Sequence, residues 1–444
     1  MPTVPTNLMQ NVATFNRSEL GALQNSYAML HLGNKKFDNF QSKIVSNLGT
    51  TVSMRLPYRF TTTSGLAPNL QSIQQRLQNL TVDQAFSLDF AVDDQERLFN
   101  LKDESYMKEV GDGAVAELGA RVERLLSLNA DSSVPVNGGT FATPVPTGAL
   151  HTESGPFRFY GDGVTPINSF EQLAAMHAMF RNYGFVGGMK VVLPDIQIPA
   201  IIGTGLTKFT IDRGNRTANS WEVGSFDTPT VDYYRSNLLP IHYAGTIGNT
   251  ATTGNQVTIT SLVTDANGSI TSLVCSTAVT TDTNAIASGD LLQFMDGVAG
   301  HANVRYLTFT GHTTSANPVQ VRATAKCASS GGSVTIPIYP ALVTAQGQNQ
   351  NVNNPIEVGM KLVVMPSHQC GLVISGDAFF LAMPRLPGTD PYVSSVETDP
   401  ETGASMRMYR GYIIEQSTYG LFRNIILGST LVPEYSMRIL FPIS

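Results

Sequence analysis

Charge is scarce in this chain. Only 14% of its 444 residues are Asp, Glu, Lys or Arg, against about a quarter in ordinary soluble proteins. Gly, Asn, Gln, Ser and Thr fill the gap. Such a surface repels its neighbours weakly and suits a chain that buries much of itself against copies of itself. Basic runs are missing and the net charge is −6. That argues against tight nucleic-acid binding, which gathers Lys and Arg against phosphates. The three cysteines, Cys275, Cys327 and Cys370, are far apart and form no CxxC pair. They argue against a disulfide framework or a Cys-based zinc site and point to a reducing compartment. No run approaches the roughly 18 apolar residues of a membrane span. No basic segment followed by an apolar stretch opens the chain, so no signal peptide is expected.

Chemical motifs are equally scarce. HExxH, GxSxG and GxxxxGK[ST] are all absent, which removes the commonest zinc, nucleophile-elbow and phosphate-loop readings. Seven histidines are present, none in a recognisable constellation. His301 and His312 flank an expected strand and read as satisfied or exposed side chains rather than ligands. Gly203-Thr204-Gly205 has Lys208 where a dinucleotide loop needs its third glycine. Asp93, Asp94 and Glu96 read as a charge complement to the N-terminus of the following helix, not as an acid/base pair. Asn267-Gly268-Ser269 matches a glycosylation sequon but reads as a turn. No catalytic, cofactor-binding or metal residue is assigned, and no enzyme is expected.

What is present is a sequence of well-separated parts. Residues 1–48 read as an N-terminal arm. Asn16 with Glu19 can cap a helix carrying Leu20, Leu23, Tyr27 and Leu30, and Gly33 ends it. Val52, Met54, Leu56, Tyr58 and Phe60 then alternate with Ser53, Arg55, Pro57 and Arg59, a strand of period two. A second alternation runs through Phe86, Leu88, Phe90 and Val92. About two dozen turn-prone residues separate them, and so long a loop is usually functional. A two-stranded ribbon cannot bury its apolar face alone. The simplest solution is that it lies on another subunit, the alternative being that both strands join an intrachain sheet. A helix is expected at about 105–129, with Tyr106, Val110, Ala114, Leu118, Val122, Leu125 and Leu126 on one stripe. Residues 131–156 read as a connector. Ser169 and Gln172 form a capping box for a second helix whose face holds Phe170, Leu173, Met176, His177 and Phe180, with Gly184 past its end. A strand at 190–193 stops at Pro194. Ile196, Ile198, Ile201 and Ile202 make an apolar patch, and Trp221, the only tryptophan, reads as core.

At about Gly245 the composition shifts to Thr, Ser, Gly and Val. Two alternating runs flank Asp265-Ala266-Asn267-Gly268, and Asn-Gly is a strong hairpin signal. Further strands are expected at 291–295, 305–309, 319–323 and 334–338, the spacing of a small barrel or sandwich. Residues 346–354 form a polar loop. Leu421–Leu427 and the run through Tyr435, Met437, Ile439 and Phe441 are apolar on both faces, as buried strands are. There is no internal repeat.

The order of these parts resembles the tailed-bacteriophage major capsid protein fold, an α+β fold of N-arm, E-loop, spine helix, P-domain and A-domain. Two phrases narrow the resemblance: Ser288-Gly289-Asp290-Leu291-Leu292-Gln293-Phe294-Met295-Asp296-Gly297-Val298, and Val334-Thr335-Ile336-Pro337-Ile338-Tyr339-Pro340-Ala341-Leu342. They are similar to the β-rich insertion domain of coat proteins from short-tailed Salmonella phages. The resemblance implies an N-terminal arm at 1–48, an E-loop with adjoining strands at 49–100, and a spine helix with P- and A-domain core at 101–244. It implies an inserted small β-barrel domain at 245–343, then A-domain and C-terminal strands at 344–444. It further implies a virion structural protein that self-assembles into hexamers and pentamers of an icosahedral head enclosing double-stranded DNA. Assembly in the host cytoplasm, a scaffolding protein, a portal protein, only weak non-specific contact with the DNA and no membrane belong to the same expectation. The candidate inter-subunit residues are Met54, Arg55, Leu56, Tyr58, Arg59, Phe60, Arg76, Phe86, Leu88 and Phe90. A β-rich phage tail protein or bacterial surface adhesin is the alternative, and it leaves the long helix and the arm unexplained.

Some members of this family weld their shells through an E-loop lysine. No lysine occurs here between Lys43 and Lys102, and the chemistry needs that amine. Intact shells boiled in SDS are expected to run as single chains; a ladder of linked oligomers refutes this.

Overall fold

A computed structural model describes residues 28–33, 51–55, 58–62, 70–71, 77–82, 84–93, 104–131, 155–184, 188–201, 231–250, 254–308, 311–376, 378–387, 394–398, 405–413 and 418–443. Among these, strands far outnumber helices, so the described part of this α+β chain is mostly β. Helix α1 (Ala28–Leu32) precedes strands β1 (Thr51–Arg55), β2 (Leu77–Thr81) and β3 (Gln84–Asp93). Helix α2 (Glu104–Ser127) runs into a 3-10 turn, Leu128–Ala130. Then come β4 (Phe159–Tyr160), α3 (Phe170–Arg181), β5 (Met189–Pro194), β6 (Val231–Ser236) and β7 (Ile241–His242). The Thr-rich region holds β8 (Gln256–Thr264), β9 (Ile270–Ser276), β10 (Thr281–Ile286), β11 (Leu291–Phe294), β12 (Arg305–Leu307), β13 (Thr314–Pro318), β14 (Gln320–Ala323), β15 (Cys327–Ser330), β16 (Ser333–Leu342) and β17 (Lys361–Val364). The last strands are β18 (His368–Ser375), β19 (Phe379–Ala382), β20 (Ser394–Thr398), β21 (Ser405–Ile413), β22 (Thr418–Leu431) and β23 (Ser436–Phe441).

The chain divides into two compact units. The first comprises Met1–Met54, Leu77–Leu126 and Phe379–Thr430. Its long strand β22 pairs with β21 and, over Thr418 to Leu427, antiparallel with β3. Helix α2 buries Val115, Leu118, Val122, Leu125 and Leu126, close to the stripe expected from its heptad-like spacing. At roughly 1.5 Å per residue its 24 residues span about 36 Å. Buried Glu123 on this helix accepts the Met29 backbone N–H with both carboxylate oxygens, at 2.9 and 3.1 Å, and so pins α1. Asn16, Glu19, Leu20, Leu23 and Tyr27 lie outside the described residues, as do Ile202 and Trp221.

The second unit comprises Arg55–Arg76, Ser127–Ala378 and Leu431–Ser444. Its body is a sheet ordered β4-β23-β18-β5-β6, with β7 also paired to β18. Strand β23 is buried along its whole length, as its two-sided apolar pattern implies. Helix α3 starts at the capping box read from sequence. Ser169 Oγ accepts the Gln172 N–H at 3.3 Å and Gln172 Oε1 accepts the Ser169 N–H at 3.2 Å. Leu173, Met176 and Phe180 face the core, while His177 is only half-buried. Ile201 is buried but Ile196 is exposed, so the isoleucine patch is split between core and surface.

The Thr-rich region closes into a six-stranded barrel. The strands run β16-β14-β11-β17-β8-β9, and β9 pairs back onto β16. Closure leaves no edge within the ring. The β10–β15 hairpin extends from β16. The expected β8–β9 turn forms: Asp265 Oδ1 accepts the N–H groups of Asn267 and Ser269 at 2.9 and 2.8 Å, and Gly268 takes a left-handed φ of 77°. One boundary needs correction. The barrel was expected to end at residue 343, yet its ring is completed by β17, inserted between β8 and β11. A four-residue strand carries too little pattern to be assigned from sequence; closure of the ring decides it.

Ile336 points into the barrel core and is fully buried. Ile336→Ala removes that packing and is expected to destabilise the fold by about 2–5 kcal/mol, read as a lower urea midpoint. An unchanged midpoint contradicts the assigned core.

Candidate assembly surface

The expected ribbon is not built as one pair. Strand β1, which carries Met54 and Arg55, pairs with β2 in a two-stranded sheet. Strand β3 instead takes the intrachain alternative. Phe86 lies opposite Ile425, Leu88 opposite Arg423 and Phe90 opposite Leu421 on β22. Period-two alternation identifies a strand but not its partner, and the long β22 offers a ten-residue ladder. Phe86 and Leu88 are half-buried there, and the Arg121 guanidinium lies 6.0 Å from the Phe86 ring centroid. Leu56 and Arg76 lie outside the described residues.

Residues 58–62 and 70–71 show how the loop is held. Tyr58 and Phe60 are 43% and 55% exposed, and Leu70 is 94% exposed. Between the two aromatics, Arg59 turns inward and pairs with Glu434 at 2.9 Å. Arg59, one of the candidate inter-subunit residues, thus has an anion within its own chain. Thr61 donates its N–H to Gln71 Oε1 at 2.9 Å, Gln71 Nε2 returns a bond to the Thr61 carbonyl, and Gln348 Nε2 donates to Gln71 Oε1 at 3.0 Å. Polar side chains therefore tie the loop down while apolar ones face outward. The anchor is itself supported. Arg158 donates to the Glu434 carbonyl at 2.6 Å, and its guanidinium lies 4.2 and 4.5 Å from the ring centroids of Tyr183 and Tyr306.

A second constellation sits where the barrel joins the body. Fully buried His242 faces a carboxylate from each ring nitrogen: Nδ1 is 2.6 Å from Asp131 and Nε2 is 2.8 Å from Asp290. Asp131 closes the 3-10 turn after α2, and Asp290 sits in the turn before barrel strand β11. The other Asp290 oxygen accepts the N–H groups of Gly245 and Ala287 at 3.1 and 2.7 Å. Only glycine fits at 245, because a Cβ would lie 2.5 Å from the Ala285 carbonyl oxygen. Arg438 on β23 reaches Asp131 at 3.2 Å and donates to the Ala130 carbonyl at 2.9 Å. The barrel is also bonded to the body by Gln320, whose side chain accepts the Phe159 N–H at 2.9 Å and donates to the Phe159 carbonyl at 3.0 Å. Buried Arg322 on β14 donates to the Gly155 carbonyl at 2.9 Å.

None of these junction residues was singled out as a site from sequence, although Asp290 lies within one of the quoted phrases. The one local signal is a lone Arg inside an apolar strand, as at Arg322, Arg423 and Arg438. All three are buried, and buried charges persist only when paired and hydrogen-bonded. Among the described residues no cluster of His, Cys, Asp and Glu has the arrangement of a metal site.

No protein-family model matches the chain, and no curated protein matches it. Solved structures do align along most of it. One, from Mycobacterium phage Che8, is 10% identical and covers 93% of this chain and 91% of its own, with a TM-score of 0.41. The capsid of Ralstonia phage GP4 is 7% identical, covering 89% and 84%, at 0.41. The satellite phage P4 procapsid including size determination (Sid) protein is 5% identical, covering 100% and 92%, at 0.37. The second and third of these are described as a capsid and a procapsid.

Burial opposes charge on His242, but Asp131 and Asp290 outweigh it and push the imidazole up to about 9. The folded chain thus holds this proton above the ordinary range near 6.5. Its stabilisation, on the order of 3 kcal/mol, is complete below about pH 6.5 and is lost as pH rises through about 9. The urea midpoint is expected to fall over that window, and His242→Gln is expected to flatten the fall. An equally steep fall in the variant rules out His242 as its source.

Proposed function

We propose that this chain is a tailed-phage major capsid protein, copies of which assemble as hexamers and pentamers of an icosahedral head around double-stranded DNA. The observation that carries this is the anchored loop with Tyr58, Phe60 and Leu70 turned outward. Large apolar side chains held in water by polar anchors need a covering surface. Covering each is worth roughly 1–3 kcal/mol, and in a shell that gain recurs at every copy. In this reading β1, β2 and the loop between them form the E-loop, α2 is the spine helix, and the β4-to-β6 sheet belongs to the P- and A-domain body. The barrel is the inserted domain. The mild negative charge suits a wall that contains DNA through weak contact only. A scaffolding protein and a portal protein are the partners this role requires, and the host cytoplasm is the place of assembly.

The test is sedimentation and negative-stain microscopy of the expressed chain, with a candidate scaffolding protein present, beside Tyr58→Ser/Phe60→Ser/Leu70→Ser. These side chains are exposed, so the variant is expected to keep its circular dichroism and melting temperature. The parent is expected to form hollow particles and the variant to remain as small soluble species. A parent that stays a discrete monomer or trimer at high concentration favours a tail protein or adhesin. Shells formed by the variant refute the role of the loop.

A further inference from the structure

His368, one step further into the junction, has an unusual position. It lies on β18 and is fully buried. Its Nδ1 is 2.7 Å from the Pro366 carbonyl, which places the ring's single proton on Nδ1. Its Nε2 is buried and meets no hydrogen-bond partner among the described residues. Its ring centroid is 5.1 Å from that of His242.

The charges around it are nearly fixed. His242 faces it from β7, Arg438 from β23 and Asp131 from the turn after α2, and Cys370 follows two residues later on its own strand. Asp290 is bonded to the other nitrogen of the His242 ring. Arg322 on β14 feels both Arg438 and Asp131. With His242 protonated, three cations share this buried space with two carboxylates, both already bonded. A proton on His368 adds a fourth cation whose new N–H finds no acceptor among the described residues. Burial, then His242 and Arg438, resist that proton and hold the His368 imidazole well below its ordinary range.

We propose that this junction is an acid-released latch: protonation of His368 expels the barrel from its seat on the body sheet while the closed barrel itself stays folded. The barrel can survive release because its ring of strands closes without the body; Val257, Ile259, Leu273, Val321, Ile336 and Leu362 are buried in an apolar core that runs on into Met189, Val373 and Met437 of the body. The seat depends on the charged cluster, which an extra buried cation disturbs, and on Gln320 and Arg322. The sign follows from linkage. The unfolded or released state takes up the proton near pH 6.5 and the seated state does not, so seating weakens as pH falls below 6.5.

Hydrogen exchange by mass spectrometry on the full chain, corrected for intrinsic rates, tests this at pH 7.5 and 5.0. Segments 156–160, 287–293 and 317–323 report the seat, and 333–342 reports the barrel interior. In the wild type the seat is expected to lose protection at least tenfold at pH 5.0 while the interior changes less than twofold. His368→Gln cannot take the charge and is expected to abolish the difference. Equal protection of the wild-type seat at both pH values overturns the proposal, as does acid loosening of the same size in His368→Gln. If that variant fails to fold, the wild type is titrated from pH 7.5 to 4.0. A one-proton loosening of the seat alone, with its midpoint below 6.5, supports the latch. Joint opening of seat and barrel overturns it.

Discussion

One buried interaction organises the second unit: the His242 imidazolium held between Asp131 and Asp290, with Arg438 against Asp131. It ties together the turn that follows α2, the last strand of the body sheet, strand β7 ahead of the barrel and the turn before β11. An unpaired charge at such a site costs several kcal/mol, whereas a complete set of partners makes it a specific joint. The barrel's strands close into a complete ring. The barrel is seated on the body by this cluster, by the side-chain bonds of Gln320 and Arg322 to backbone groups of Phe159 and Gly155, and by an apolar core common to both.

The same division of labour appears in the loop. Among its described residues, Arg59 bonds to Glu434 and Gln71 to Thr61 and Gln348. Tyr58, Phe60 and Leu70 are left outside. A hydrogen-bonded anchor fixes where Tyr58, Phe60 and Leu70 stand, and fixed apolar groups lose little entropy when a partner covers them. A chain poor in surface charge meets little repulsion when such a partner is another copy of itself.

Parts of this were legible in the residues. The Ser169–Gln172 box, the Asn267-Gly268 turn and the stripe on α2 each follow from interactions a few residues apart, and each forms. The partner of β3 was not legible, because alternation is the same whether a strand pairs with its neighbour or with β22 more than 300 residues later. Nor was β17, four residues long, whose assignment depends on a gap in a ring that exists only after the other strands have closed. The junction charges were hidden for a related reason: Asp131, His242, Asp290 and Arg438 are far apart along the chain.

By itself the sequence determined the local elements, the shift to a β-rich region at about residue 245, and the low charge that favours self-association. Those depend on periodicity, capping and composition, which act over short stretches of chain. The tertiary structure alone decided which strands pair, which arginine turns inward, and which histidine carries a proton. Those depend on burial and on the few ångströms between groups that the fold, not the chain order, brings together.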